Sequence, residues 1–369
     1  MKSLPEDIVI DILTWLPVKS ILRFRSVSKP WSNLPTTPHF IAAHLRLSSA
    51  GNPLLIVHHG RTLGRNLRVS VIDSTFRTLH RDFPLPATVF DSRLHSPSIL
   101  GSCNGLLCIK FTANFMLWNP ATKQFALLPN FNNLTSPLTR SHGPKAQFIC
   151  ERFGFGSTPE PDYKLVRFVS VFHGKQGSAD ESVWRSLEVK AAVFSWKTWS
   201  WRPLARDNSR IPLAYYSNPV AANGNLYWIG ESRGRRDFVL EFDLARESFR
   251  TIDLPESFER FRIETRINRV RESDAFEAMV MSENGRGVKG MLWESLRRCG
   301  CFDGGGDYRG YWNGVRVVLQ RRVNGDVLGF CDPADGEDGA VYCVDGIGDR
   351  VYGVCGFVES LVSVRGGDE

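Results

Sequence analysis

No run of about 18 apolar residues occurs anywhere in the 369-residue chain, so nothing in it reads as a membrane-spanning helix. The N-terminus, Met1-Lys2-Ser3-Leu4-Pro5-Glu6-Asp7, turns acidic where a secretory leader needs an apolar stretch. The expectation is a folded protein of the cytoplasm or nucleus that meets no membrane. Eight cysteines are present, but no Cys-x-x-Cys, and Cys299-Gly300-Cys301 has no second Cys or His pair nearby to complete a tetrahedral zinc shell. The thiols therefore read as reduced and mostly packing, with no metal site. On that reading the sequon Asn133-Leu134-Thr135, which matters only in the secretory pathway, carries no weight. Hydrophobic residues at 42% and charged residues at 23% exclude a mostly disordered chain.

Catalytic signatures are as scarce. Gly230-Glu231-Ser232-Arg233-Gly234 has the spacing of a nucleophile elbow, which requires a strand before it and a helix after, whereas residues 238–242 read as another strand. Gly304-Gly305-Gly306 lacks the Gly-Lys-Ser/Thr that cradles phosphate, and Gly154-Phe155-Gly156 lacks a third glycine and a following helix; both read as turns. His58 and His59 point to opposite faces of an extended chain and cannot easily share a metal. Trp196, Trp199 and Trp201 could form an aromatic platform, yet they belong to a repeated unit and read more readily as packing. No enzyme and no cofactor is expected.

The net charge of +7 is unevenly placed, with 16 Lys/Arg against 6 Asp/Glu in residues 1–150 and 30 against 33 in the remainder. The basic residues, such as Arg61, Arg65, Arg68 and Arg77, are scattered without a basic helix or interleaved stacking aromatics. A solvated basic face or one that meets an acidic partner fits better than a nucleic-acid surface.

Helical periodicity is confined to the N-terminus. Ile8, Ile12, Leu13 and Leu16 recur at three- and four-residue steps behind Glu6, Asp7 and Asp11, and the helix ends before Pro17. Ile21, Leu22, Phe24 and Val27 make a second stripe, and Ser28 can cap a third segment holding Pro30, Trp31 and Leu34. The prediction is three short helices. About forty residues bury too little apolar surface to stand alone, so this segment either caps the rest of the chain or meets a partner.

These residues carry a resemblance. The string from Leu4-Pro5-Glu6-Asp7-Ile8 through Leu16-Pro17-Val18-Lys19-Ser20 to Trp31 closely resembles an F-box in the form common in plant F-box proteins, apart from Pro30 and Pro35, which would shorten the third helix. The resemblance implies docking on a Skp-type adaptor, and through it on cullin and RING subunits. Carried over by position, Leu4, Pro5, Ile8, Ile12, Leu16, Pro17, Val18, Leu22 and Val27 would make the adaptor contact, with Trp31 packing the third helix.

Beyond His44 the chain turns to short apolar or alternating runs between Gly, Pro, Asn and Asp, an all-β texture. A strand–turn–strand unit recurs with turns at Asp73, Asn119, Trp196, Asp243 and Asp345, the clearest copies being Phe115 to Pro129 and Phe238 to Pro255. Both follow an Asn-Gly turn, Asn104-Gly105 and Asn223-Gly224. The spacing, 46, 77, 47 and 102 residues, suits four-stranded propeller blades of 45 to 50 residues and predicts a worn copy near Met291-Leu292-Trp293. About six irregular blades are expected, with a β-sandwich as the alternative. The same region resembles the F-box-associated domain of that plant family through Gly101-Ser-Cys-Asn-Gly-Leu-Leu-Cys108, Leu117-Trp-Asn-Pro-Ala-Thr-Lys123, Gly154-Phe-Gly156, Asp162-Tyr-Lys-Leu-Val166, Val220 to Trp228 and Phe357-Val-Glu-Ser-Leu-Val362, and departs from it over residues 269–338.

The expected organisation is thus an F-box over residues 1–45 and an F-box-associated β-domain over 46–365. The resemblance implies a non-catalytic substrate receptor of a Skp-cullin-F-box ubiquitin ligase. The alternative is an F-box-bearing scaffold or carbohydrate-binding β-domain without a degradation role. The protein target is not legible; residues 130–147, 232–236 and 303–309 are candidate contact loops.

Overall fold

The computed structural model describes residues 5–51, 54–60, 68–73, 75, 77–84, 97–111, 114–130, 147–160, 162–173, 188–204, 215–216, 219–231, 238–253, 266–269, 276–281, 288–292, 298–299, 307–312, 315–320, 327–331, 342–343 and 350–365; in the strands from 266 to 343 the backbone pairing is what it describes. These residues fall into two compact units, one of residues 1–127 with 346–369, the other of residues 128–345.

The first unit opens with helices α1 (Glu6–Thr14), α2 (Val18–Phe24) and α3 (Lys29–Asn33), a 3-10 turn (Leu34–Thr36), and α4 (Pro38–Ala50). Pro5 and Pro17 stand just ahead of α1 and α2 with extended backbone, where an absent N–H leaves no intrahelical bond unmade. Ser28 caps α3 by accepting the Trp31 N–H at 3.4 Å, with Pro30 in the first turn. The fourth helix corrects the expectation of three. Pro35, read as shortening the third helix, lies in the 3-10 turn, and Pro38 opens α4, whose ladder starts with Ile41 N–H on the Thr37 carbonyl at 3.0 Å. Only Phe40 and His44 of α4 are buried, too thin a stripe to read as helical periodicity.

The β-region forms six antiparallel sheets among the described residues. In chain order, β1 (Leu54–Gly60), β2 (Arg68–Ile72) and β3 (Thr78–Pro84) begin the first; β4 (Ser98–Cys103), β5 (Leu106–Phe111), β6 (Asn114–Asn119) and β7 (Gln124–Leu127) make the second. The third is β8 (Gln147–Ser157), β9 (Tyr163–His173), β10 (Glu188–Ser195) and β11 (Ser200–Pro203). The fourth holds β12 (Tyr215–Tyr216) and β13 (Val220–Ala222), both paired to β14 (Asn225–Glu231), then β15 (Phe238–Asp243) and β16 (Ser248–Asp253). The fifth is β17 (Arg266–Arg269), β18 (Phe276–Met281), β19 (Val288–Leu292) and β20 (Arg298–Cys299); the sixth is β21 (Asp307–Trp312), β22 (Val315–Gln320), β23 (Val327–Cys331) and β24 (Tyr342–Cys343). The last strand, β25 (Arg350–Phe357), returns to the first sheet beside β1, with Ile56 opposite Cys355.

The repeated unit is the outer hairpin of a sheet. Turns at 73, 119, 196 and 243 join β2 to β3, β6 to β7, β10 to β11 and β15 to β16, and the worn copy near 291 is β19–β20, with Met291 opposite Arg298. The copy at Asp345 needs correction: β24 belongs to the sixth sheet and β25 to the first, so no hairpin closes there. A local pattern of strand, Asp and strand cannot report that its two strands pair with different neighbours. Both Asn-Gly turns are tight hairpins with φ of 51° and 82° at Asn104-Gly105 and 51° and 74° at Asn223-Gly224.

Sheets pack face to face within each unit. Ile56, Val69, Val71 and Phe357 of the first sheet meet Leu107, Ile109, Met116 and Trp118 of the second. In the other unit Val166, Phe168 and Val193 meet Leu226, Trp228, Leu240 and Phe242, with the Phe168 and Trp228 rings edge to face at 5.4 Å. Gly154 and Gly156 explain this closeness and correct the reading of their motif as a turn. They lie inside β8, and a Cβ on Gly154 would stand 2.5 Å from the Trp228 ring, one on Gly156 2.8 Å from Leu244.

Candidate functional site

Helix α1 is apolar on two sides. Leu13 is buried and Val9 and Leu16 are partly so, packed with Val18, Ile21 and Phe40 in the helical core. Ile8, Ile12 and Trp15 follow at steps of four and three on the other side and are 43%, 51% and 74% exposed. Val27, just past α2, is 61% exposed. An amphipathic helix that only caps its own domain would carry polar residues along that second stripe.

Among the residues expected to meet the adaptor, Pro5, Ile8, Ile12, Pro17 and Val27 are exposed, Leu16 and Leu22 are half-buried against the helical core, and Val18 lies inside it at 1% exposure. Leu4 lies outside the described residues. Trp15 was not singled out from the sequence, although its step of three from Ile12 and seven from Ile8 places it on the outward stripe. Trp31 packs as expected, its ring 5.8 Å from that of Phe24.

The helical core is completed from far along the chain by Leu361 and, at its margin, by Ala121 of the β6–β7 turn. Leu361 belongs to a tail after β25 that polar contacts hold on the second sheet. Asn119 Nδ2 donates to the carbonyls of Ser360 and Val362 at 3.0 and 2.9 Å, while its Oδ1 accepts the Ala121 and Thr122 N–H groups at 3.0 and 3.3 Å. Ser360, fully buried, donates Oγ to the Asn104 carbonyl at 2.7 Å. Three motifs of the resemblance, around Asn104, Asn119 and Ser360, are thus parts of one joint. In the helical core itself, burial pushes the His44 imidazole below its ordinary range, against the Leu16 carbonyl it bonds and the charge of Glu359 in the tail.

The Asp162-Tyr163-Lys164 motif is a joint of the second unit. Asp162 accepts Ser195 Oγ and the Lys197 N–H at 3.0 Å, and Lys164 Nζ donates to the Leu244 carbonyl at 2.6 Å and to Glu247 at 2.8 Å. The tryptophans pack around it: Trp196 on Tyr163, Trp199 and Trp201 on Phe194, with Trp201 Nε1 donating to the Pro129 carbonyl at 3.0 Å.

Gly230 and Glu231 end β14, the next described element is strand β15, and Ser232 lies outside the described residues. His58 and His59 are both buried in β1, and His59 Nε2 shares a 2.8 Å hydrogen bond with Ser70 Oγ. Cys103, Cys108 and Cys355 are free thiols, and burial pushes the Cys355 thiol up to about 12. Among the described residues no group of three His, Cys, Asp or Glu side chains could hold a metal, and no helix is long and apolar enough to cross a membrane. Of the contact loops expected at 130–147, 232–236 and 303–309, only 130, 147 and 307–309 lie among the described residues, the last three as the start of β21.

The chain thus consists of a small helical region with an exposed apolar stripe, followed by an all-β region in several sheets. The F-box domain matches residues 1–42 and the F-box associated beta propeller domain residues 69–284, so the chain belongs to the F-box proteins that carry this β-domain. F-box protein CPR1 of Arabidopsis thaliana is 29% identical over 272 residues, covering 70% of this chain and 61% of its own length. F-box protein At3g07870 of the same plant is 29% identical over 279 residues, covering 69% and 61%. The matched part therefore spans about three fifths of these relatives. Among solved structures, TolB from Acinetobacter baumannii aligns at a TM-score of 0.47 and 11% identity over 86% of this chain and 70% of its own, too slight a likeness to bear on function.

Proposed function

We propose that the chain is a non-catalytic substrate receptor of an SCF-type ubiquitin ligase, acting in the cytoplasm or nucleus. The outward stripe Ile8, Ile12 and Trp15, with Val27, docks on a Skp-type adaptor that links it to cullin and RING subunits. Leu4, Pro5 and Pro17 border the contact, and Leu16, Val18 and Leu22 hold it up from the helical core. The six sheets are six propeller blades, the first closed by β25 beside β1, and they present a protein target. The receptor contributes proximity, raising the effective concentration of target lysines near the ubiquitin-conjugating enzyme, while its partners carry the thioester chemistry.

The observation that carries this reading is the exposed second stripe of α1, which the chain's own core leaves uncovered. The test is co-purification of wild-type chain and an Ile12→Glu variant with a Skp-type adaptor. Ile12 serves better than Leu16, which also packs on the core. Adaptor retained by wild type and lost by the variant is the expected result; equal absence, or equal retention, would overturn the docking face. Adaptor binding without turnover of any co-purified protein would instead favour the scaffold reading.

A further inference from the structure

The outer turns of three sheets differ at one informative position. Asp73, Asn119 and Asp243 each close their turn by accepting two backbone N–H groups on Oδ1: those of Thr75 and Arg77, of Ala121 and Thr122, and of Ala245 and Arg246. A carboxylate does this as well as an amide oxygen, and two of the three turns use one. Only Asn119 carries a second duty that a carboxylate cannot perform, since its Nδ2 hydrogens reach the Ser360 and Val362 carbonyls, 241 and 243 residues away in sequence. Between those two carbonyls sits Leu361, 5% exposed in the helical core with Leu13, Val18, Ile21 and Phe40. The Asn119 amide is 0% exposed, as is Ser360, whose hydroxyl ties the tail to the Asn104 turn.

We propose that Asn119 is a positioning residue: its amide latches the tail 358–364 to the second sheet, and the latched tail, through Leu361, fixes the direction in which the F-box helices hold the first two sheets. The latch itself stands on the contacts alone; its consequence for ubiquitin transfer rests on the ligase reading. Rigid attachment confines the lysines reachable from the conjugating enzyme, so the latch sets which lysines are modified rather than how tightly the adaptor binds.

The test is Asn119→Asp in the full chain, which keeps the turn acceptor and removes both donors, leaving a carboxylate against two carbonyls. Amide hydrogen exchange of the chain alone is expected to speed by about tenfold or more in residues 358–364 and in α1 and α4, with β5 and β6 unchanged. In a ligase reconstituted with a Skp-type adaptor, cullin, RING and conjugating enzyme, adaptor affinity should stay within about twofold, while self-ubiquitination, mapped by mass spectrometry, spreads over more of the receptor's own lysines. Leu361→Asp should reproduce the spread and Leu361→Met should keep the wild-type pattern. Unchanged exchange in the tail and helices would overturn the latch. A released tail with the wild-type lysine pattern would overturn its positioning role. Failure of wild type to bind adaptor would sink the ligase reading, and with it the positioning role, while the exchange result still decides the latch.

Discussion

A methyl group added at Gly105 would stand 2.2 Å from Ser360 Oγ and 2.7 Å from the Val358 carbonyl, on a backbone whose φ of +82° already disfavours any side chain. Gly105→Ala should therefore cost about 3 kcal/mol, read from urea unfolding, because backbone strain and a displaced tail add. A cost below about 0.5 kcal/mol would mean that the tail does not press on the Asn104-Gly105 turn. His58 makes a pH prediction. Burial, with His59 adding to it and the Pro97 carbonyl opposing, lowers its pKa from 6.5 to about 4. Above pH 6.5 neither folded nor unfolded chain holds the proton; between 6.5 and 4 the unfolded chain takes it up first, so stability falls as pH falls, by about 3 kcal/mol across that window. Unfolding free energies of wild type and His58→Gln, compared at pH 7 and pH 4.5, should converge as the pH drops.

The outer hairpin is the element on which the β-region is built, and its side-chain acceptor makes the turn. In the copies at 119 and 243 the fourth residue after the acceptor turns left-handed, Lys123 at +62° and Glu247 at +55°; Trp199 does the same at +47°, four residues after Ser195, whose Oγ accepts the Thr198 N–H at 3.4 Å, and in each the acceptor beneath offsets that strain. Asp243→Asn should leave stability within about 0.5 kcal/mol, whereas Asp243→Ala, which strands the Ala245 and Arg246 N–H groups, should cost about 1 to 2 kcal/mol by thermal unfolding. Equal effects of the two would show that the acceptor does not hold the turn. Helix α1 is the other telling element. Its apolar residues form a broad face opposite Asp7, Asp11 and Thr14, so periodicity alone gathered Ile8, Ile12, Leu13 and Leu16 into one stripe, which packing then divided between an inward set and an outward one.

At the scale of the whole molecule, the F-box helices are not a bead on a string. The tail after the last strand runs back into their core, so the first and last segments of the β-region and the helices form one unit. The outward face is the surface to which the proposed function assigns the adaptor. Ile12→Glu places a charge at its centre and should weaken adaptor binding by about 2 kcal/mol or more, roughly thirtyfold in Kd, in a titration of purified proteins. Its thermal unfolding should match wild type, since Ile12 is 51% exposed; a large fall in stability would place Ile12 in the core instead.

Sequence alone determined whatever depends on neighbours along the chain: α1 and α2 from their apolar steps and the break at Pro17, both Asn-Gly hairpins, and the outer turns at 73, 119, 196 and 243. It also carried the family, through motifs that are legible as strings although their contacts are long-range. Tertiary structure decided the rest, because each remaining feature joins residues that sequence keeps apart. Gly154 and Gly156 are bare because Trp228 and Leu244 press on their strand, and β25 leaves the hairpin its spacing suggested because β1 offers an open edge. Asn119 is Asn rather than Asp because two carbonyls more than 240 residues later need its hydrogens. Trp15 could be told from a core residue only once Leu13 and Phe40 had filled the core without it. Hydrogen-bond donors and close contacts act over a few ångströms of space, and only folding turns sequence distance into that.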